Sequence, residues 1–245
     1  MSHTTECCRR SAQELKAYQK KEHSLLQDGF LLEWDSSDIS KILAVVLGPA
    51  DTVYAGGFFF FQIDLPATYP QAPPKVTFLT QCSQSTRLHP NLYTNGYVCL
   101  SILGSWHGES WRPAFTVEAV IRTIRMACLG MEQPLLCEPG SSPSQSDMDA
   151  YNAVVEYACL EAAIISPLTQ PPPDFNKDCF LTPMREVAAG MKAQYMKRLE
   201  RLKARWGARR VSCSYYGLNI HLDVERYRER LQDVCDSHTV IYICL

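Results

Sequence analysis

Three short hydrophobic runs in the amino-terminal third of the chain constrain its fold most strongly. They are rich in aromatic and β-branched residues, and turn-forming pairs such as Gly48-Pro49 and Gly56-Gly57 separate them. Such runs predict β-strands that pair with their sequence neighbours in an antiparallel meander. A fourth strand is predicted after Pro73-Pro74, because proline fixes φ and keeps the approaching chain extended. The predicted strands cover residues 30–34, 42–47, 58–65 and 75–79.

Helical periodicity flanks this predicted sheet. Residues 9–27 carry spaced apolar side chains among basic and polar ones, which predicts an amphipathic helix with a basic face. After the sheet, Thr116 is a predicted N-cap for a helix with apolar residues at i, i+3, i+4 and i+7, and residues 147–165 repeat that pattern. Helix, meander, irregular segment and two helices form an α+β order rather than alternating βαβ units.

Composition excludes several classes of protein. The formal net charge of −2 argues against a surface that binds nucleic acid throughout. Eleven cysteines without paired CxxC spacing favour a reducing compartment, cytoplasmic or nuclear, and argue against a structural zinc site. No apolar run approaches the roughly 20 residues that span a bilayer, so no membrane association is expected.

The carboxy-terminal third is predicted to be an extension. Residues 1–166 form the expected core domain, 167–183 a proline-rich linker and 184–245 a helical extension. The helix at about 184–206 has one apolar face and one basic face, and the basic face is read either as a solvated surface or as a docking site for an acidic partner. The apolar tail 240–245 suggests no function.

An irregular segment, residues 81–113, carries the functional signature. It contains His89-Pro90-Asn91, and Cys99 follows eight residues after the asparagine. Together with Gly48-Pro49, Tyr69-Pro70 and Trp111-Arg112-Pro113-Ala114, this pattern resembles the ubiquitin-conjugating enzymes over roughly residues 9 to 165. The residues 104–110, Glu-Pro-Gly at 138–140 and a carboxy-terminal extension are similar to the large Z-type members.

The resemblance implies a carrier that accepts ubiquitin or a ubiquitin-like modifier as a thioester on Cys99 and passes it to a lysine amine. Asn91 would stabilise the oxyanion that forms during transfer, and its amide also suits bracing of the loop. His89 would be structural within the active-site loop rather than a base. Glu138 is the candidate for orienting the attacking lysine, although a solvated loop carboxylate explains it equally well.

The partners are implied by the family alone. Lys16, Lys20 and Lys21 would face the acidic surface of an activating enzyme, which for Z-type members is the less common one. A RING-type ligase would contact an overlapping surface formed by Tyr69, Pro70, Gln71, Pro113 and Ala114. Glutamine at position 71 replaces a frequent phenylalanine and should weaken some ligase contacts. No cofactor is expected, since the activating enzyme uses ATP and magnesium upstream.

Two other functions remain open at this level. An inactive scaffold with the same fold would bind a ligase or an active partner without carrying a modifier, but intact Cys99 and Asn91 argue against it. A cysteine hydrolase using Cys99 and His89 would need a third group to orient the base and an oxyanion hole, neither of which the sequence shows.

Overall fold

A computed structural model describes residues 3–80, 82, 86–207 and 209–236, with side chains from residue 6 onward. Its main sheet has four antiparallel strands in the order β1-β2-β3-β4. Each strand pairs with its sequence neighbour, so the predicted meander and the α+β fold are confirmed. The strands are β1 (Phe30–Trp34), β2 (Lys41–Leu47), β3 (Phe58–Asp64) and β4 (Lys75–Phe78).

The central strand β3 is buried on both faces. Four consecutive phenylalanines, 58 to 61, are each at most 2% exposed. Phe61 packs on Phe78 of β4, with ring centroids 5.1 Å apart, whereas Phe60 packs on Phe175 at 4.5 Å. Because Phe175 lies in the segment predicted to be a linker, that segment covers a face of the sheet that would otherwise be open to water.

Seven α-helices surround the sheet within the part of the chain that the structure describes. Thr116 caps α3 as predicted, since its side chain accepts a hydrogen bond from the amide of Ala119. Helices α3 and α4 continue into π-helical turns at Arg125–Leu129 and Leu160–Ile165. The helices are α1 (His3–Gln19), α2 (Leu25–Asp28), α3 (Val117–Ile124), α4 (Gln145–Cys159), α5 (Ser166–Thr169), α6 (Asp178–Trp206) and α7 (Arg228–Asp236).

The first helix differs from its prediction at both ends. It begins at His3 and ends at Gln19, so it does not continue to residue 27. The Tyr18 carbonyl accepts a hydrogen bond from the backbone amide of Lys21, and the His23 ring nitrogen Nε2 also lies within hydrogen-bonding distance of it. These contacts turn the chain before α2 starts. Lys20 and Lys21 therefore lie in the turn after the helix rather than on it.

The long helix α6 begins at Asp178, within the segment predicted to be a linker, and it contains Pro183. Proline inside a helix removes one hydrogen bond and strains the preceding turn, at a cost of about 3 kcal/mol. Phe180 is 1% exposed, and its ring packs against that of Phe175 with centroids 5.2 Å apart, so burial of this turn offsets the cost. The helix starts where its apolar contacts start, not after the last proline.

The extension also contains strands that its sequence did not reveal. Strands β5 (Arg210–Cys213) and β6 (Leu218–His221) pair as an antiparallel hairpin, and Cys213 stands opposite Leu218 at the turn. Short 3₁₀ turns at Ser101–Leu103, Pro134–Cys137, Pro173–Phe175, Tyr215–Gly217 and Glu225–Tyr227 complete the structure. The apolar tail 240–245 lies outside the described residues.

The extension packs directly on the catalytic core. The Tyr195 hydroxyl of α6 donates to the carbonyl of Gly56 at 2.8 Å, and Arg198 donates to the carbonyl of Val53 at 3.1 Å. Arg198 also pairs with Glu156 of α4 at 3.1 Å, where both residues are 6% exposed. One continuous apolar cluster includes residues of the sheet, α4 and α6. In the described part of the chain, no helix is long and apolar enough to cross a membrane.

Candidate active site

Two reciprocal hydrogen bonds join Asn91 to Cys99. The Asn91 side-chain amide donates to the Cys99 carbonyl at 2.7 Å, and the Cys99 backbone amide donates to the Asn91 carbonyl at 2.9 Å. A β-bridge between Leu92 and Val98 holds the intervening residues as a closed loop. The eight-residue spacing therefore brings the predicted nucleophile and the predicted oxyanion donor together.

His89 braces the same loop from inside the protein. Its side chain is fully buried, and its Nδ1 accepts a hydrogen bond from the Asn91 amide at 3.0 Å. Burial, assisted by the charge of Arg87, lowers the pKa of His89 to about 3. The ring is therefore neutral at physiological pH, and Nε2 carries its proton without a hydrogen-bond partner in the described structure.

The Cys99 thiol is less accessible than a carrier was expected to require. The residue is 5% exposed, and its Sγ donates to the carbonyl of Ser105 at 3.1 Å. Burial raises the pKa of this thiol, while a side-chain hydrogen bond with Ser105 and the charge of Arg87 act in the opposite direction. The thiol is thus mainly protonated at neutral pH and covered by one loop contact.

Ser105 is a site residue that the sequence interpretation missed. Its hydroxyl accepts from the Leu100 amide at 2.8 Å and lies within 3.1 Å of the carbonyls of Val98 and Leu100. It therefore fixes the backbone on both sides of Cys99. The sequence offered one indication of its role, because Ser105 lies among the extra residues between Cys99 and Trp111. A groove of about 620 Å³ is lined by Val98 and Ser105 together with residues of β4.

Arg87 and Glu138 belong to a second cluster beside the loop. The Arg87 guanidinium donates to the Pro90 carbonyl and lies 3.7 Å from the ring centre of Tyr93. Its other neighbour is Tyr216 of the extension, whose ring centre is 4.9 Å away. Glu138 accepts a hydrogen bond from the Tyr216 hydroxyl. The candidate for orienting a lysine is therefore engaged by the extension.

The predicted partner surfaces are partly exposed. Lys16, Lys20 and Lys21 are exposed, as are Gln71, Pro113 and Ala114. Tyr69 and Pro70 are buried, and the Tyr69 hydroxyl donates to Glu14 at 2.5 Å while the Pro70 carbonyl accepts from Trp111 at 2.7 Å. Any effect of these two residues on a ligase is therefore indirect. The roles of the partner-binding residues stay predictions.

No cluster of three or more His, Cys, Asp or Glu side chains suited to a metal ion occurs among the described residues. Whether the chain needs a cofactor stays a prediction.

Comparison with known proteins identifies the family. The family model for ubiquitin-conjugating enzymes matches residues 10–156. The chain is 38% identical to human ubiquitin-conjugating enzyme E2 Z over 138 residues, which are 56% of this chain and 38% of that protein. It is 37% identical over 153 residues to the probable ubiquitin-conjugating enzyme protein 17 of Caenorhabditis elegans, covering 59% and 21% of the two chains.

A third relative is the human dual E2 ubiquitin-conjugating enzyme/E3 ubiquitin-protein ligase BIRC6, which is 35% identical over 150 residues, or 57% of this chain and 3% of that protein. The chain thus spans well under half the length of each of these relatives. The matched residues contain the whole four-stranded sheet, the His-Pro-Asn loop and Cys99. The chain belongs to the ubiquitin-conjugating enzyme family.

Proposed function

We propose that the chain accepts ubiquitin or a ubiquitin-like modifier from an activating enzyme as a thioester on Cys99 and transfers it to a lysine amine. The observation that carries this proposal is the pair of hydrogen bonds between Asn91 and Cys99. They place a fixed amide donor next to the residue whose sulfur would hold the modifier. Family membership and the names of the relatives support the same activity.

Loading is a thiol exchange at the carboxy-terminal carbonyl of the modifier. The deprotonated Cys99 sulfur attacks this carbon, a new C–S bond forms, and the thiolate of the activating enzyme leaves and takes up a proton. Because burial raises the pKa of the Cys99 thiol, this step requires local opening of the contact with the Ser105 carbonyl. The activating enzyme uses ATP and magnesium upstream, so we infer no cofactor for this chain.

Transfer reverses the roles of the sulfur. A neutral lysine nitrogen attacks the thioester carbon, an amide C–N bond forms, the C–S bond breaks, and the amine loses a proton while Cys99 leaves as a thiolate. The intermediate carries an oxyanion, which the Asn91 side-chain amide is suited to stabilise. We assign the proton-accepting or orienting role to Glu138, after release from the Tyr216 hydroxyl.

The loop is built to hold a thioester rather than to hydrolyse it. His89 is fully buried, neutral and committed through Nδ1 to the Asn91 amide, so it does not serve as a base for Cys99. Without an adjacent base the carrier does not catalyse attack of water on the thioester, so the acyl group survives until an amine arrives. This arrangement supports the structural role proposed for His89 and disfavours a cysteine hydrolase.

The partners follow from the same proposal. An activating enzyme would meet exposed Lys16 together with Lys20 and Lys21 in the following turn, and a RING-type ligase would meet Gln71, Pro113 and Ala114 on an overlapping surface. Similarity to E2 Z favours the less common activating enzyme and its second modifier. We infer lysine residues of proteins as the acceptors.

An inactive scaffold is the competing function, and the 5% exposure of Cys99 favours it. Loading distinguishes the two. The protein is mixed with each activating enzyme, a modifier and magnesium ATP, and is run on non-reducing and reducing gels. The carrier predicts a reductant-sensitive shift for the native chain and a reductant-resistant ester for Cys99→Ser. Cys137→Ser, at a partly exposed thiol, is the matched control and should load like the native chain. A shift that stays reductant-sensitive in Cys99→Ser refutes the assignment.

A further inference from the structure

The turn of the β5–β6 hairpin brings the extension to the active-site loop. Residues 214–217 form this turn, and Tyr216 adopts a left-handed backbone with φ of 58°. A side chain in this region costs about 1 kcal/mol, so its surroundings must hold it there. The hairpin is anchored beside it, since the Ser214 hydroxyl donates to Asp147 of α4 at 2.9 Å. The hairpin thus positions the Tyr216 ring beside the His-Pro-Asn loop.

That ring completes a clamp around one cation. The Arg87 guanidinium lies between the rings of Tyr93, at 3.7 Å, and Tyr216, at 4.9 Å. We call Arg87, Tyr93, Tyr216 and Glu138 the arginine clamp. Its arginine donates to the carbonyl of Pro90, the middle residue of the His-Pro-Asn motif. The clamp therefore holds a positive charge against the loop that carries Cys99.

The clamped charge affects the site electrostatically. Arg87 lowers the pKa of Cys99, against the larger effect of burial, and also lowers the pKa of His89. The other titratable groups that face Arg87 are Tyr93, Tyr151 and Tyr216. Glu138 interacts with Tyr216 and Tyr151, and Cys128 interacts with Cys99. Since His89 is neutral at physiological pH, Arg87 is the cation that acts on the thiol among these groups.

The folded protein does not satisfy every hydrogen-bond donor of the Arg87 guanidinium. Its Nε is buried and has no hydrogen-bond partner among the described residues, although its neighbour atoms bind Pro90 and two rings. A buried donor without a partner costs about 1 to 3 kcal/mol, so packing alone does not explain why an arginine stands here. An anionic group that forms only during the reaction would give this donor a role.

We propose that Arg87 favours the anionic sulfur of Cys99 and that Tyr216 of the extension is a positioning residue that holds Arg87 in place. The inference rests on the proposed thioester function and deepens it. A thiolate forms twice, once as nucleophile during loading and once as leaving group during transfer. A fixed cation held against the Cys99 loop through the Pro90 carbonyl assists both steps, so the extension is part of the active site in this protein.

The alkylation rate of Cys99 as a function of pH tests this inference. Iodoacetamide reacts with the thiolate, and mass spectrometry of the Cys99 peptide separates this residue from the other cysteines. The midpoint of the profile reports the pKa of the thiol, whereas its plateau reports access to the sulfur. Arg87→Gln and Tyr216→Ala should each raise the midpoint by about one pH unit, and alkylation at neutral pH should be about tenfold slower.

Conservative variants and matched controls sharpen the result. Arg87→Lys keeps the charge and Tyr216→Phe keeps the ring, so each should move the midpoint by less than half as much. Tyr215→Ala removes the neighbouring aromatic residue of the same turn, and Arg209→Gln removes an exposed charge of the extension. Both should leave the midpoint unchanged.

An unchanged midpoint in Arg87→Gln overturns the electrostatic role, and a midpoint that moves in Arg87→Gln but not in Tyr216→Ala overturns the role of the extension. A change of plateau without a change of midpoint indicates a purely structural clamp and also overturns the inference. Alkylation needs neither modifier nor activating enzyme. Failure of the proposed function would instead appear as absent loading with a midpoint that still responds to Arg87.

Discussion

The protein should lose stability in mildly acidic solution because of His89. The native ring is buried and neutral with a pKa of about 3, whereas the unfolded chain binds a proton with an ordinary histidine pKa near 6.5. The lowered native pKa means that this stabilisation is complete above about pH 6.5 and is lost as pH falls toward 3. The unfolded state gains the proton first, so acid favours unfolding.

The magnitude follows from the slope of this linkage. Each pH unit between the two pKa values costs about 1.4 kcal/mol for one proton, so the fall from pH 6.5 to 5 should cost about 2 kcal/mol. Several carboxyl groups with lowered pKa values, including Asp28 and Glu161, lose stabilisation only below about pH 4.5. The interval above pH 5 therefore isolates the histidine.

Urea unfolding followed by tryptophan fluorescence at several pH values measures this slope. His89→Gln retains an acceptor for the Asn91 amide but cannot titrate, so it should flatten the profile between pH 6.5 and 5 by about 2 kcal/mol. His107→Gln changes an exposed histidine and should leave the slope intact. A native slope close to zero, or the same slope in His89→Gln, would refute the burial argument.

Three further outcomes are expected. Asn91→Ala should slow discharge of loaded Cys99 to free lysine by about 10²-fold, measured by gel, and discharge at the native rate would contradict an oxyanion role. Arg198→Leu should lower the free energy of unfolding, measured by urea titration, by about 3 kcal/mol because it weakens the ion pair of buried Glu156. A double variant Arg198→Leu with Glu156→Leu that is no more stable than the single variant would contradict this explanation. Tyr195→Phe removes the hydrogen bond to the Gly56 carbonyl and should cost about 1 kcal/mol by the same measurement, with a value near zero inconsistent with that contact.

The sheet and the pairing of Asn91 with Cys99 were predictable from local sequence. Strand patterns depend on neighbouring residues, and the seven residues between Asn91 and Cys99 form a loop too short to separate them widely. The N-cap at Thr116 was predictable for the same reason, since its hydrogen bond to Ala119 is local.

Other features depend on contacts distant in sequence, which periodicity does not report. Helix α6 starts at Asp178 because Phe180 packs against Phe175. A sequence pattern in which Pro183 marks the helix boundary does not reveal this contact. Tyr216 reaches Arg87 only through the hairpin, so no motif in the sequence connects it to Cys99. The covering contact of Ser105 likewise appears only once the inserted residues are placed in space.

The most direct test of the central claim is a single-turnover chase of the loaded protein. The modifier is loaded by an activating enzyme, the enzyme is then stopped by removing ATP, and free lysine is added while the conjugate is followed by mass spectrometry. We expect the thioester on Cys99 to decay at a rate proportional to lysine concentration and to yield a modifier–lysine amide. A thioester on another cysteine, or one that releases only free modifier regardless of lysine, would contradict it.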